Sequence, residues 1–300
     1  LAHYQPIAIS DSLLSQEATR RNWQTNELEE LPLHQQDVLA PLPAAPSLVL
    51  IKVPKTLAML EYQLLRLREV VTQETRIIAS GKVKEIHNST LSLFEQILGT
   101  TKTSLAWKKA RLIYPQVEER PVIANPYPTV WPLDNTDYQI ANHANVFARA
   151  SLDIGARFLL EHLPRQKRGL MVDLGCGNGV LGLMALEYNP EAELLFLDES
   201  YMAVASSQLN VEQNRPQDLA RSRFQVGHSL NGIDSNSIDV IICNPPFHQL
   251  QTITDDIAWQ MFRDAKRCLK RGGELWIVGN RHLDYHIKLK RLFGGAECIA

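Results

Sequence analysis

The stretch Leu170-Met171-Val172-Asp173-Leu174-Gly175-Cys176-Gly177-Asn178-Gly179, continued by Val180 to Tyr188, decides the fold of this chain. The apolar run through Leu174 reads as a buried strand of a parallel sheet. The alternating glycines read as a tight turn, because glycine takes backbone conformations closed to other residues and lets a ligand approach the main chain. Val180 to Tyr188 then continues as a helix, whose first N–H groups are free to face a ligand. The order Asp-x-Gly-x-Gly-x-Gly is not the dinucleotide order Gly-x-Gly-x-x-Gly.

That difference has chemical content. An acid ahead of the turn would repel a pyrophosphate, which disfavours a dehydrogenase. It suits a ligand with an ammonium and a sulfonium, as in S-adenosylmethionine. Asp173, Gly175, Cys176, Gly177, Asn178 and Gly179 are therefore candidate cofactor residues. Further out, Glu193 to Leu197 is the next strand and ends in Asp198. That spacing fits a carboxylate on ribose hydroxyls, expected ~20 residues past the glycines. Phe224-Gln225-Val226 is a third strand, ending at Gly227-His228-Ser229, and His228 is placed on the cofactor side. Phe147, just before an amphipathic helix expected within Asn142 to Phe158, is placed either to cap a bound ligand or to pack in the core.

The next buried strand, Ile238 to Cys243, stops at Asn244-Pro245-Pro246-Phe247-His248. Paired prolines force the chain out of the sheet in an extended direction. Asn244 then sits at the carboxyl end of a strand, where open α/β sheets bind ligands. Asn244 offers an amide oxygen, Pro245 a carbonyl that no following N–H claims, and Phe247 an aromatic face. Together with Pro246 these are the candidate catalytic residues, equipped to hold a planar group bearing an NH2. The bland alternative is a strand followed by a proline-rich turn.

The first half alternates strands and helices without such a site. Residues 7–9, Ser47 to Val53 and Arg76 to Ala79 read as strands, and Leu13 to Asn22, Leu57 to Val71 and Thr90 to Leu98 as helices. Ile9-Ser10-Asp11-Ser12 and its helix parallel Leu197-Asp198-Glu199-Ser200 and the helix after it. Leu48 to Lys55 parallels Asp239 to Phe247, and Arg66 to Ala79 parallels Phe262 to Val278. This is read as an internal duplication. Lys52-Val53-Pro54-Lys55 replaces Asn-Pro-Pro-Phe, so the first copy is degenerate. Lys82, Lys84, Lys108, Lys109 and Arg111, interleaved with Trp107 and Tyr114, form a candidate RNA stripe. Yet residues 1–125 hold 14 Lys+Arg against 13 Asp+Glu, as an ordinary solvated face would. The expected organisation is a degenerate domain over 1–118, a proline-rich linker over 119–134 and a catalytic domain over 135–300.

The chain has 300 residues, 45% hydrophobic and 21% charged, with a net charge of −2, which speaks for a soluble protein of about two domains and against a wholesale nucleic-acid coat. Four scattered cysteines show neither Cys-x-x-Cys nor zinc spacing, so a reduced cytoplasmic protein without a metal is expected. No apolar run reaches ~18–20 residues, so no membrane span is expected. The first residue is Leu1, and an apolar run begins at Cys298-Ile299, so both ends look truncated.

Asp173, Gly175, Gly177 and Asp198, followed by Asn244 to Phe247, resemble the class I S-adenosylmethionine-dependent methyltransferases. Within them the chain looks most like the bacterial rRNA guanine-N2 methyltransferases, built as a degenerate and an active domain in tandem. It is most similar to those acting on large-subunit 23S rRNA. The residues carrying this finer resemblance are Cys243 to His248, Trp259 and Phe262, Ala265 to Lys270, and Gly279-Asn280-Arg281-His282-Leu283-Asp284-Tyr285. The resemblance implies two tandem Rossmann-like α/β domains, S-adenosylmethionine as cofactor and ribosomal RNA as substrate. His228 departs from the acid or amide that usually meets the adenine there. The rivals are a 16S rRNA enzyme, an adenine-N6 or glutamine-N5 methyltransferase, and a non-catalytic RNA-binding module.

Overall fold

The structure is a computed structural model and describes residues 6–245, 251–280 and 283–299, with only the backbone over 251–256. Pro246, Phe247, His248, Arg281 and His282 lie outside the described residues. Contacts divide the chain into two compact units, Leu1–Leu39 with Pro128–Ala300, and Ala40–Tyr127. By contacts, the first 39 residues thus group with the second half.

The leading segment is β1 (Ile7–Ser10), α1 (Leu13–Thr25) and β2 (His34–Asp37), with β1 and β2 parallel. Ser12 caps α1 by accepting the Ser15 N–H at 3.1 Å, as short hydroxyl residues do at helix starts.

The smaller unit contains β3 (Leu48–Lys52), α2 (Leu57–Arg68), β4 (Arg76–Lys82), α3 (Asn88–Ile97), β5 (Thr101–Thr103) and β6 (Ala110–Pro115). Its sheet runs β3-β4-β6-β5, with β3 and β4 parallel and the β5–β6 hairpin antiparallel. Leu60 and Leu64 of α2 meet Ile77, Ala79, Phe94 and Ile113 in one core, while Leu57 is exposed at the first turn.

The larger unit continues with β7 (Thr129–Pro132) and β8 (Gln139–Asn142), an antiparallel pair. The last part of the expected linker is therefore a strand. Next is α4 (Ile154–Glu161), which begins where Asp153 caps it by accepting the Ala156 N–H at 3.0 Å and runs past Phe158, where the expected helix region ended. Then come β9 (Gly169–Leu174), α5 (Val180–Tyr188), β10 (Ala192–Asp198), α6 (Tyr201–Asn214), β11 (Ser222–Val226), β12 (Ile238–Cys243), α7 (Gln251–Cys268), β13 (Leu269–Ile277) and α8 (Tyr285–Phe293).

Five parallel strands form a sheet in the order β11-β10-β9-β12-β13. Successive side chains point to opposite faces, and the two cores follow that alternation. Met171, Leu194, Phe196, Val240 and Ile242 pack with α4 and α5, whereas Val172, Leu195, Leu197 and Ile241 pack with α7. Burial on both faces explains the unbroken apolar runs in the sequence. The βαβ units repeat across the chain: β1-α1-β2 has the form of β10-α6-β11, and β3-α2-β4 that of β12-α7-β13.

Gly182 shows how closely α5 packs on the sheet. A Cβ there would lie 2.3 Å from Phe196 Cε1 and 2.8 Å from Leu194 Cδ2, both in the strand below. Gly182→Ala is expected to cost ~1–3 kcal/mol by overpacking, read from denaturant unfolding. Among the described residues, no helix is long and apolar enough to cross a membrane.

Candidate active site

Strand register assembles the site. Leu174 pairs with Leu197 on one side and with Cys243 on the other. The next residues, Gly175, Asp198 (the last of β10) and Asn244, therefore lie at one carboxyl edge, the side on which open α/β sheets bind ligands. His228 follows β11 at the same edge.

Gly175, Gly177 and Gly179 all have positive φ, at 73°, 56° and 75°, which explains the alternating glycines. The loop is tied to β10 by the Gly175 and Cys176 N–H groups, which donate to the Leu197 carbonyl at 2.8 and 3.1 Å. A Cβ on Gly177 would meet nothing within 4 Å, so the loop faces open space there. Gly179 lies against α6, since a Cβ would fall 2.7 Å from Ser207 Cβ. Cys176 turns its buried side chain inward, where its Sγ accepts from Ser207 Oγ at 3.2 Å. Its carbonyl accepts the Gly179 N–H at 2.8 Å, and burial raises its thiol pKa well above the usual range.

Asp173 is 1% exposed. One carboxylate oxygen accepts the Gly182 N–H at 2.8 Å, while Oδ1 is buried with no partner. Burial pushes its pKa up to about 8, opposed by the Gly182 N–H and reinforced by the charge of Asp198. A buried acceptor without a donor is costly, so this oxygen calls for a polar, preferably cationic, group.

Asp198 accepts the Ser200 N–H on Oδ1 and the Gly177 N–H on Oδ2, each at 3.0 Å. Burial raises its pKa to about 6 against those two bonds, with the charges of Glu199 and Asp11 adding to the rise. Each of its oxygens keeps a second lone pair for ligand hydroxyls.

Asn244 is half-buried. Its Nδ2 donates to Asp153 Oδ2 at 3.1 Å, and its Oδ1 is buried without a partner. Pro245 is buried beside it. Phe147 is 60% exposed ahead of α4, so it is not a core residue.

Several contributors were not visible in the sequence. Asn178 Nδ2 donates to Asn142 Oδ1 at 2.9 Å, and Asn210 Nδ2 donates to the Asn178 carbonyl at 2.8 Å, holding the glycine loop from β8 and α6. Asp11 is buried; it accepts from the Met202 N–H and Ser200 Oγ at 2.7 Å each, and from Asn145 Nδ2 at 2.7 Å. The contact is reciprocal. Ser12 Oγ donates to Glu199 at 2.6 Å, the Leu13 N–H donates to the Glu199 carbonyl, and the Tyr201 N–H donates to the Asp11 carbonyl. Residues aligned by the parallel between the two segments, Ser12 with Ser200 and Asp11 with Glu199, thus meet reciprocally. The parallel between the two strand ends was legible, but their meeting was not.

In the smaller unit, pairing brings the basic candidates together. Gly81 pairs with Arg111, Lys82 with Ala110, and the Val83 N–H donates to the Lys109 carbonyl at 2.9 Å. Lys84 follows in a short 3-10 turn. The Lys108 ammonium lies 4.7 Å from the ring centre of Trp107, which is 72% exposed. One charge is partly matched, since Lys82 lies 3.6 Å from Glu85.

A family model described as "Methyltransferase small domain" matches residues 137–300, and one described as "RLMG N-terminal domain" matches 1–119. A protein of Aeromonas salmonicida named ribosomal RNA large subunit methyltransferase G is 61% identical over 299 residues, spanning 99% of this chain and 79% of that one. The chain belongs to the ribosomal RNA large subunit methyltransferase G family. A relative of that name from Erwinia tasmaniensis is 62% identical over 298 residues, covering 98% and 78% of the two chains. The fold also matches a T. thermophilus 16S rRNA N2 methyltransferase solved with AdoMet and guanosine, at a TM-score of 0.76 and 20% identity over 96% of this chain and 77% of that one.

As a large subunit methyltransferase G family member, the chain is an S-adenosylmethionine-dependent methyltransferase. The cofactor supplies an electrophilic methyl group on a sulfonium. The residues present fit it: an unpartnered buried carboxylate oxygen at Asp173, an open glycine face at Gly177, and a second acid at Asp198. Among the described residues, no cluster of His, Cys, Asp and Glu could hold a metal ion.

Proposed function

We propose that the chain methylates the exocyclic N2 amine of a guanine in large-subunit 23S ribosomal RNA, in the cytoplasm. The observation that carries the reading is the buried, unpartnered Asn244 Oδ1 at the same strand edge as the glycine loop. The names of the large-subunit relatives support the choice of RNA.

A guanine amine is a weak nucleophile because its lone pair is delocalised into the ring. Asn244 Oδ1 and the Pro245 carbonyl accept its two hydrogens, drawing the nitrogen toward tetrahedral geometry with its lone pair aimed at the methyl group. Phe247 stacks on the extruded base, worth ~1–3 kcal/mol. Much of the acceleration is orientation. No strong base is required before transfer, since methylation acidifies the amine and water takes its proton. Asp173, Asp198 and the loop from Gly175 to Gly179, with His228 and Phe147 at its margins, hold the donor. Lys82, Lys84, Lys108, Lys109 and Arg111 contact RNA phosphates, with Trp107 available to stack on a base.

The test is methyl transfer from labelled S-adenosylmethionine to deproteinised 23S, 16S and transfer RNA, with DNA and protein as further arms. Label in 23S RNA, recovered as N2-methylguanine, is expected. Label only in 16S RNA, DNA or protein overturns the substrate assignment, and label recovered as N6-methyladenine overturns the guanine reading.

A further inference from the structure

A side-chain amide is nearly the same shape when turned by 180°, yet the turn exchanges an acceptor for a donor. A residue that must accept hydrogens from a substrate amine therefore needs something to set which end points outward. Asn244 has such a neighbour. Its Nδ2 donates to Asp153 Oδ2 at 3.1 Å, and its Oδ1 remains buried without a partner.

Asp153 is itself fixed. The same oxygen accepts the Ala156 N–H at 3.0 Å as the cap of α4, so the carboxylate is anchored to a helix start. The helix dipole favours a negative charge there. Gly155 closes the arrangement from behind. A Cβ at that position would lie 3.0 Å from Asp153 Oδ2, 3.3 Å from Asn244 Oδ1 and 3.4 Å from Val278 Cγ1. Glycine lets the first turn of α4 lie against both side chains.

We infer that Asp153 is a positioning residue that locks the amide of Asn244 with its oxygen toward the substrate amine. This rests on the proposed role of Asn244. A carboxylate only accepts, so it stabilises the orientation with the NH2 group turned toward it. The turned amide would set oxygen against carboxylate and present a donor to the donor hydrogens of the substrate. One oxygen, Asp153 Oδ2, serves both contacts, so the roles are separated by side-chain reach: a serine hydroxyl, one bond shorter, still caps the helix but falls short of Asn244 Nδ2.

Asp153→Ser keeps a good helix cap but is too short to hold Nδ2. Asp153→Asn keeps both the cap and an acceptor oxygen. Asp153→Ser is expected to lower kcat ~10- to 100-fold, with the thermal midpoint and the KM for S-adenosylmethionine unchanged. Asp153→Asn is expected to restore kcat to within ~3-fold of the parent. In an Asn244→Ala background, Asp153→Ser is expected to have no further effect, since there is no amide left to orient. A merely structural cap would act equally in both backgrounds and would shift the thermal midpoint. Parent-level kcat in Asp153→Ser, or an undiminished loss in the Asn244→Ala background, overturns the inference and leaves the role of Asn244 standing. Parent-level transfer by Asn244→Ala alone overturns the role of Asn244 instead.

Discussion

Asn244→Ala is expected to reduce methyl transfer ~10²- to 10³-fold, the size of loss seen when one preorganised polar partner of a reacting group is removed. Cofactor binding is expected to persist, because Asn244 hydrogen-bonds to Asp153 while the glycine loop is held by Leu197, Ser207 and the amides of Asn142 and Asn210. The measurement is single-turnover transfer to 23S RNA beside calorimetric titration with S-adenosylmethionine. Losing the side chain also removes a buried oxygen that has no protein partner, so the variant leaves no acceptor stranded. An equal loss of cofactor affinity would instead place Asn244 in the donor pocket.

The second large effect concerns Asp173. Asp173→Asn retains an oxygen for the Gly182 N–H but places an NH2 group where the unpartnered oxygen stood. A donor then faces the ammonium of the cofactor, and loss of the charge-assisted contact is expected to weaken binding ~10- to 150-fold. The protein without cofactor moves in the opposite direction. The folded-state pKa of Asp173, about 8, lies above its ordinary value of 3.8, so between these values the folded protein holds a proton that the unfolded chain has released. This contribution to stability is full below about pH 4 and is lost as pH rises through about 8. The slope reaches about 1.4 kcal/mol per pH unit, and Asp198, raised to about 6, adds to it over the lower part of the range. Denaturant midpoints from pH 5 to 8 are expected to fall for the parent and to fall less for Asp173→Asn. Cofactor affinity is expected to rise from pH 6 to 7.5, as the carboxylate becomes ready to meet a cation.

The strands and helices around the site were legible because their causes are local. Val180 to Tyr188 is the helix that its residues indicate, and Ile238 to Cys243 is the buried strand expected ahead of paired prolines. Where local signals were misleading, a neighbour had intervened. The helix expected within Asn142 to Phe158 starts only at Ile154, because Asn142 ends a strand paired to Thr129 and Asp153 supplies the cap. The proline-rich stretch reads as linker, yet Thr129 to Pro132 finds a partner in β8 and becomes a strand.

The sequence by itself determined the glycine loop, the acid on either side of it and the Asn-Pro motif. Glycine, proline and β-branched residues act on their own backbone, and their order in a βαβ chain sets which strand ends share an edge. Only the tertiary structure decided which polar atoms are left over. Asp153 and Asn244 lie 91 positions apart, and Asp11 and Ser200 lie 189 apart, so no local pattern joins them. Folding supplies partners to almost every buried polar atom, and the oxygens of Asp173 and Asn244 acquire their meaning from having none.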